Sequence, residues 1–372
     1  MNYDKKFLFF LIFLISLTFI SCKDKKKNDP TEDPAEAFDK KGMLTNYADA
    51  VILPSYTTFS ISLDSLTICY NDFKLNNSVL KLQELKSKFI TAYLKYQRCD
   101  LFELGPAETE SIRANFNIFP TDTIQIKSNI LAGSYDLSAV SNLDAKGFPA
   151  IEYLFFGSNQ TESLIAQSFT ITNKKQYVTD LLTEMRTKLN NVISAWNGQY
   201  KNTFTNSMTT DIGSSIGNLI NQLNYNLDFL KNAKLGIPLG KRSLGVPYPD
   251  KCESYYNGNY SVRYALETFD LIERVYSGKS FSGSNGLGFD DYLEHLKTPS
   301  INGTLNNAIK DQFTVTRVKL QAIADPLSTQ ITAAPAVVDA AYAELVKLLV
   351  LLKTDLPSAL GVVITYQDGD GD

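Results

Sequence analysis

The sequence predicts an all-α protein made of two packed helical-bundle subdomains with up-and-down helices. Three observations support this. Apolar residues recur at three- and four-residue spacing through most of the chain. The β-rich stretches, TDTIQIKSNI and SFTITN, are short and lack a hairpin partner, so they read as loops or short extended pieces. A stretch crowded with glycine and proline breaks the helical pattern once, at residues 236–258. No internal period repeats, which favours bundles over a solenoid.

The chain opens with MNYDKKFLFFLIFLISLTFISC, a short charged start followed by an apolar run from Phe7 to Ile20. That run is short for a membrane-spanning helix, and a small residue stands directly before Cys22. The pattern reads as a signal peptide over residues 1–21, with Cys22 lipidated after processing. The polar, proline-bearing residues 22–37 read as a disordered tether. A lipid-anchored protein of the cell envelope is therefore expected, at the outer membrane, with the membrane as its partner through Cys22.

From residue 38 the helices follow in order. VLKLQELKSKFITAYLKYQRC sets Val79, Leu82, Leu85, Phe89, Ala92, Leu94 and Tyr96 on one broad face, with Lys81, Glu84, Lys86 and Lys88 largely opposite. The same stripe recurs at 174–196, 211–235, 260–278, 303–324 and 334–361, with Asp211 placed as an N-cap and Gly278 as a C-cap. The expected organisation is an N-terminal bundle over 38–235, a linker over 236–258 and a C-terminal bundle over 259–372.

Composition narrows the chemistry. The chain is 44% hydrophobic and 20% charged with a formal net charge of −4, and it has no basic blocks. Nucleic acid, which needs clustered Lys and Arg, is not an expected partner. Cys69, Cys99 and Cys252 are widely spaced and form no CxxC pair, so buried free thiols are expected. His295 is the only histidine and sits on an amphipathic stretch, DDYLEHLK, which reads as a solvated surface. Zinc and iron sites that need two or more histidines are thereby excluded. The terminal YQDGDGD has the alternate aspartates of a calcium loop without its closing glutamate, and reads as a polar end.

The carboxylates that interrupt apolar surroundings remain: Glu152 in GFPAIEYLFFG, Glu103 in CDLFELGP and Glu253 in PDKCESYY. In GFPAIE the proline suits a first helical turn, where its missing N–H costs nothing. Glu152, near the fourth helical position, would favour the positive end of the helix dipole. A helix-start charge and a binding carboxylate are both open readings.

Several stretches together resemble the imelysin family of exported, often lipid-anchored bacterial proteins. They are YADAVILPSY (47–56), YLKYQRCDLFELGPAE (93–108), GFPAIEYLFFG (147–157), GIPLGKRSLGVPYPDKCESYYNGNYS (236–261), GLGFDDYLEHL (286–296) and SALGVVITYQDGDGD (358–372). The resemblance implies an all-α fold of two bundles with a functional site where they meet. It also implies a GxHxxE signature whose histidine and glutamate could hold a metal such as iron or zinc. Here the signature keeps Gly147 and Glu152 but carries Pro149 in place of the histidine. Proline offers neither a lone pair nor a proton, which weakens a metallopeptidase reading. A carboxylate-only site for a hard cation would draw on Glu152, Glu103 and Glu253, with Arg98 or Arg242 as charge partners. The resulting expectation is a non-catalytic binding protein linked to metal acquisition, iron by the resemblance. A metal-dependent peptidase is the rival, and a metal-free module for a glycan, peptide or protein is a third reading, motivated by the tyrosines of 248–260.

Overall fold

The computed structural model describes residues 37–301 and 303–366, and from Phe38 on the chain packs as one compact unit. It is all-α. The only paired strands among the described residues are Pro299–Ser300 and Gly303–Thr304, two residues each. Cys22 and the aspartates of the terminal YQDGDGD lie outside the described residues.

Helix α1 (Lys40–Asn46) starts on Asp39, whose carboxylate accepts from the Gly42 N–H at 2.7 Å. It passes through a π turn at Tyr47–Ile52 into α2 (Leu53–Leu75). Three further π turns occur among the described residues, at Trp196–Tyr200, Leu230–Gly236 and Leu351–Asp355. In all but the Trp196–Tyr200 case the second residue of the next helix is a proline: Pro54, Pro238 and Pro357. Proline donates no N–H and its ring crowds the preceding turn, so a widened turn lets the helix run on.

α3 (Val79–Gln97), α4 (Gly147–Phe156) and α5 (Thr172–Ala195) form one group with α2: α2 packs on α3 and α5, and α4 packs on both of these. The second group is α6 (Ser215–Phe229), α7 (Ser261–Tyr276), α8 (Leu305–Gln321) and α9 (Pro335–Val350). Here α7 packs on α6 and α8, and α9 on α6 and α8; α7 also packs on α3, which joins the groups. The π turn Leu230–Gly236 extends α6, so residues 236–258 connect α6 to α7, both in the second group.

The core explains the periodicity. Leu82, Leu85, Phe89, Ala92, Tyr93 and Tyr96 of α3 are buried as one stripe, and Phe148 of α4 stacks on Tyr93 with ring centroids 4.4 Å apart. Buried tyrosines satisfy their hydroxyls on distant carbonyls, such as Tyr56 on Phe102 at 2.7 Å and Tyr47 on Val275 at 2.6 Å.

Three expectations need correction. Most of TDTIQIKSNI is helical, within Thr123–Ala132, because Asp122 caps its start by accepting from Ile124 and Gln125, and Ile126 buries one face. Local capping outweighed the β-branched residues. The N-cap of α6 is Ser214 rather than Asp211, its hydroxyl accepting from Gly217 at 3.1 Å. Finally, the Gly/Pro stretch carries buried Cys252, Glu253 and Ser254, so it belongs partly to the interior. Cys99 and Cys252 are buried free thiols, while Cys69 is only half-buried.

Candidate functional site

The first turn of α4 sets the geometry. Gly147 has φ +72°, and a Cβ there would fall 2.4 Å from the Phe116 carbonyl oxygen. Only glycine tolerates both that backbone and that approach. The close contact fixes α4 against the loop that carries Asn117. Pro149 follows, buried, and adds no donor.

Glu152 points inward, about 1% exposed. Its Oε1 accepts from the Asn257 N–H at 2.7 Å, across a separation of 105 residues. Capping of its own helix is therefore not its role: the sixth residue of α4 faces another segment. Burial pushes the carboxyl up to about 8, the Asn257 and Tyr256 amides and the Ser254 hydroxyl pull it back, and nearby Glu253 raises it. Near neutral pH the group is mostly a neutral acid. Around it, Ser254 Oγ, Asn257 Nδ2 and Tyr264 OH are buried without a hydrogen-bond partner of good geometry among the described residues.

Glu253 is equally buried but differently served. Its Oε1 accepts from Asn117 Nδ2 at 2.8 Å, Gln97 Nε2 at 2.9 Å and Tyr93 OH at 3.1 Å. Its Oε2 accepts from Lys234 Nζ at 2.6 Å. Lys234 also donates to Gln97 Oε1 at 2.7 Å, and Thr268 donates to the same oxygen at 3.1 Å. The set draws on α3, the Asn117 loop, the π turn after α6, the 236–258 stretch and α7. Both Tyr93 with Gln97 and Tyr264 with Thr268 are four apart on one helix face.

Glu103 belongs to a different place. Its oxygens accept from the Arg113 N–H at 3.3 and 3.1 Å, and burial raises its carboxyl to about 7 against the pull of Arg113. It lines a cavity of about 500 Å³ together with Arg113, Asn117, Tyr225 and Phe229. Arg113 lies 4.2 Å over the Tyr225 ring and donates to the Asp100 carbonyl at 2.8 Å and to Gln222 at 3.0 Å. Asn117 is the shared residue: it lines this cavity and holds Glu253. Two grooves of about 530 and 560 Å³ lie elsewhere, and neither is lined by Glu152 or Glu253.

The arginines expected as charge partners are not in the cluster. Arg98 pairs with Glu267 at 2.9 Å and lies 4.5 Å over the Phe281 ring, while Arg242 is exposed. Lys234 is the cation that reaches Glu253. It was missed because LKNAKLG reads as a helix end, where lysines are common. Its spacing from Leu227 and Leu230 at i+7 and i+4, on the buried stripe, was the usable signal. His295 is exposed on the Phe289–Leu296 helix, its ring 5.8 Å from Phe38.

A metal of the kind the GxHxxE signature suggests does not fit this donor set. No group of three or more His, Cys, Asp or Glu side chains that could hold one occurs among the described residues. The Glu253 oxygens are occupied by four donors, and Glu152 Oε1 by the Asn257 N–H.

Comparison with known proteins gives a consistent picture. The Imelysin (peptidase M75) family model matches residues 52–354. The chain is 20% identical over 299 residues to iron-regulated protein A of Synechococcus elongatus, covering 77% of each chain. Two solved structures share the fold. One is a Parabacteroides distasonis protein assigned as an iron-regulated protein A precursor, with TM-score 0.72, 15% identity and coverage of 90% of this chain and 99% of that one. The other is an imelysin-like protein from Psychrobacter arcticum, with TM-score 0.68, 15% identity and coverage of 88% and 97%.

Proposed function

Because the chain belongs to the imelysin family, we propose that it is a non-catalytic binding protein of the cell envelope serving iron acquisition. The ligand site in this reading is the cavity lined by Glu103, Arg113 and Asn117. Lipid anchoring through Cys22 at the outer membrane is part of the proposal, resting on the leader pattern. The name of the Synechococcus relative supports the link to iron.

The observation that carries the reading is the coupling at Asn117. A cavity of a size usual for small organic ligands, lined by Glu103, Arg113, Tyr225 and Phe229, also has in its lining Asn117, a residue bonded to a buried, charge-balanced cluster. Such a wall favours recognition of an organic molecule with polar and aromatic parts over a bare ion. Peptide hydrolysis by a metal would need ligands and a polarised water, for which the donors described above are unsuitable.

The test is growth of a deletion strain under iron limitation. Wild type and Cys22→Ser, Arg113→Ala and Asn117→Leu variants are returned on a plasmid, with their abundance checked. Loss of growth in the deletion, restored by wild type and not by the cavity variants, is expected; equal growth of all strains contradicts the proposal. In parallel, purified protein is incubated with a peptide panel. Hydrolysis that a chelator abolishes would overturn the non-catalytic part.

A further inference from the structure

Glu152 and Glu253 are each about 1% exposed, and among the described residues Lys234 is the cation paired with Glu253. Lys234, itself about 1% exposed, places its ammonium 2.6 Å from Glu253 Oε2 and 2.7 Å from Gln97 Oε1, with the Phe229 ring 5.7 Å away. The Gln97 amide is fixed for this task. Its Nε2 donates to Glu253 Oε1 at 2.9 Å, which turns its oxygen to Lys234, and the Thr268 hydroxyl donates to that oxygen at 3.1 Å. A carboxylate oxygen and an amide oxygen converging in a buried place are what a hard cation takes as ligands. Here the ammonium occupies the point between them and compensates the Glu253 carboxylate directly.

We infer that the Lys234 ammonium is the resident cation of this site, a tethered replacement for a metal ion between Glu253 and Gln97. The wild-type protein therefore takes no metal between Glu253 and Gln97, and removing the tether uncovers a site for a hard divalent cation there. The inference does not rest on the proposed ligand cavity, since a tethered cation suits a binding protein and an inert one equally.

The experiment compares the full chain as wild type, Lys234→Ala and Lys234→Ala/Glu253→Gln. Each is titrated with Mn²⁺ alone and, separately, with n-propylammonium, reading bound Mn²⁺ per chain and the shift in Tm. Wild type is expected to bind no stoichiometric Mn²⁺ and to show no Tm shift. Lys234→Ala is expected to bind one equivalent at least about tenfold more tightly than wild type, with Tm raised by either cation. The double variant should lose the response, because the carboxylate is gone. An equivalent of Mn²⁺ bound by wild type and lost in Glu253→Gln would overturn the inference, as would a folded Lys234→Ala that responds to neither cation. If Lys234→Ala does not fold alone, soluble recovery only when Mn²⁺ or n-propylammonium is present during refolding supports it. Failure to refold with both overturns it.

Discussion

The Glu253 cluster and the Glu103 cavity use similar parts to opposite ends. Each has a carboxylate, a cation and an aromatic ring beside that cation: Lys234 near Phe229 in the first, Arg113 over Tyr225 in the second. In the cluster the ammonium touches the carboxylate directly at 2.6 Å and neither group reaches solvent. In the cavity Arg113 gives Glu103 its backbone N–H, while the guanidinium is turned to the Asp100 carbonyl and Gln222. The first arrangement is locked by mutual need, and the second leaves a carboxyl, raised to about 7, facing a space that a ligand could fill. A shared residue, Asn117, connects a rigid interior to a receptive surface.

The largest expected effect separates the two regions by stability. Lys234→Met leaves the Glu253 charge buried without its partner and should cost about 3–5 kcal/mol. Glu103→Gln, beside a cavity, should cost about 1 kcal/mol. Denaturant unfolding of both variants measures the gap, and equal losses would erase the distinction. Next comes Gly147→Ala, which places a Cβ against the Phe116 carbonyl at positive φ and should cost about 1–3 kcal/mol. Because the same contact positions the Asn117 loop, a chemical-shift map of Gly147→Ala should show changes at Asn117 and few at Arg98.

The pH dependence gives a third contrast. Glu152 has a folded value raised from 4.5 to about 8, so its contribution to stability is full below about 4.5 and is lost as pH rises through about 8. Glu103 acts in the same direction over a narrower window, ending near about 7. Unfolding free energies measured across this range should therefore lose more of their downward slope in Glu152→Gln than in Glu103→Gln. The reverse order would show that the cavity, and not the cluster, holds the more strained acid.

The sequence made the helices legible, because a buried stripe repeats within each of them and needs no distant partner. It also marked Glu152 and Glu253 as acids in apolar surroundings, and Gly147 as part of a signature. It did not reveal what those acids touch. Glu253 meets Gln97 across 156 residues and Asn117 across 136, and no local pattern encodes such a meeting. Lys234 was hidden by its position at an apparent helix end, and the β-branched residues of TDTIQIKSNI hid the helix that Asp122 caps. Arg98 was misjudged for a related reason: charge type is visible in a sequence, but which carboxylate an arginine reaches is decided by packing, here by α7 presenting Glu267.

The most direct measurement is the protonation state of Glu152, by infrared difference spectroscopy of wild type and Glu152→Gln. One ammonium serving one of two buried carboxylates requires a protonated-carboxyl band at near-neutral pH that titrates away near 8 and is absent from Glu152→Gln. A Glu152 already ionised at about pH 6 would contradict it, because a second cation would then have to stand beside that carboxylate.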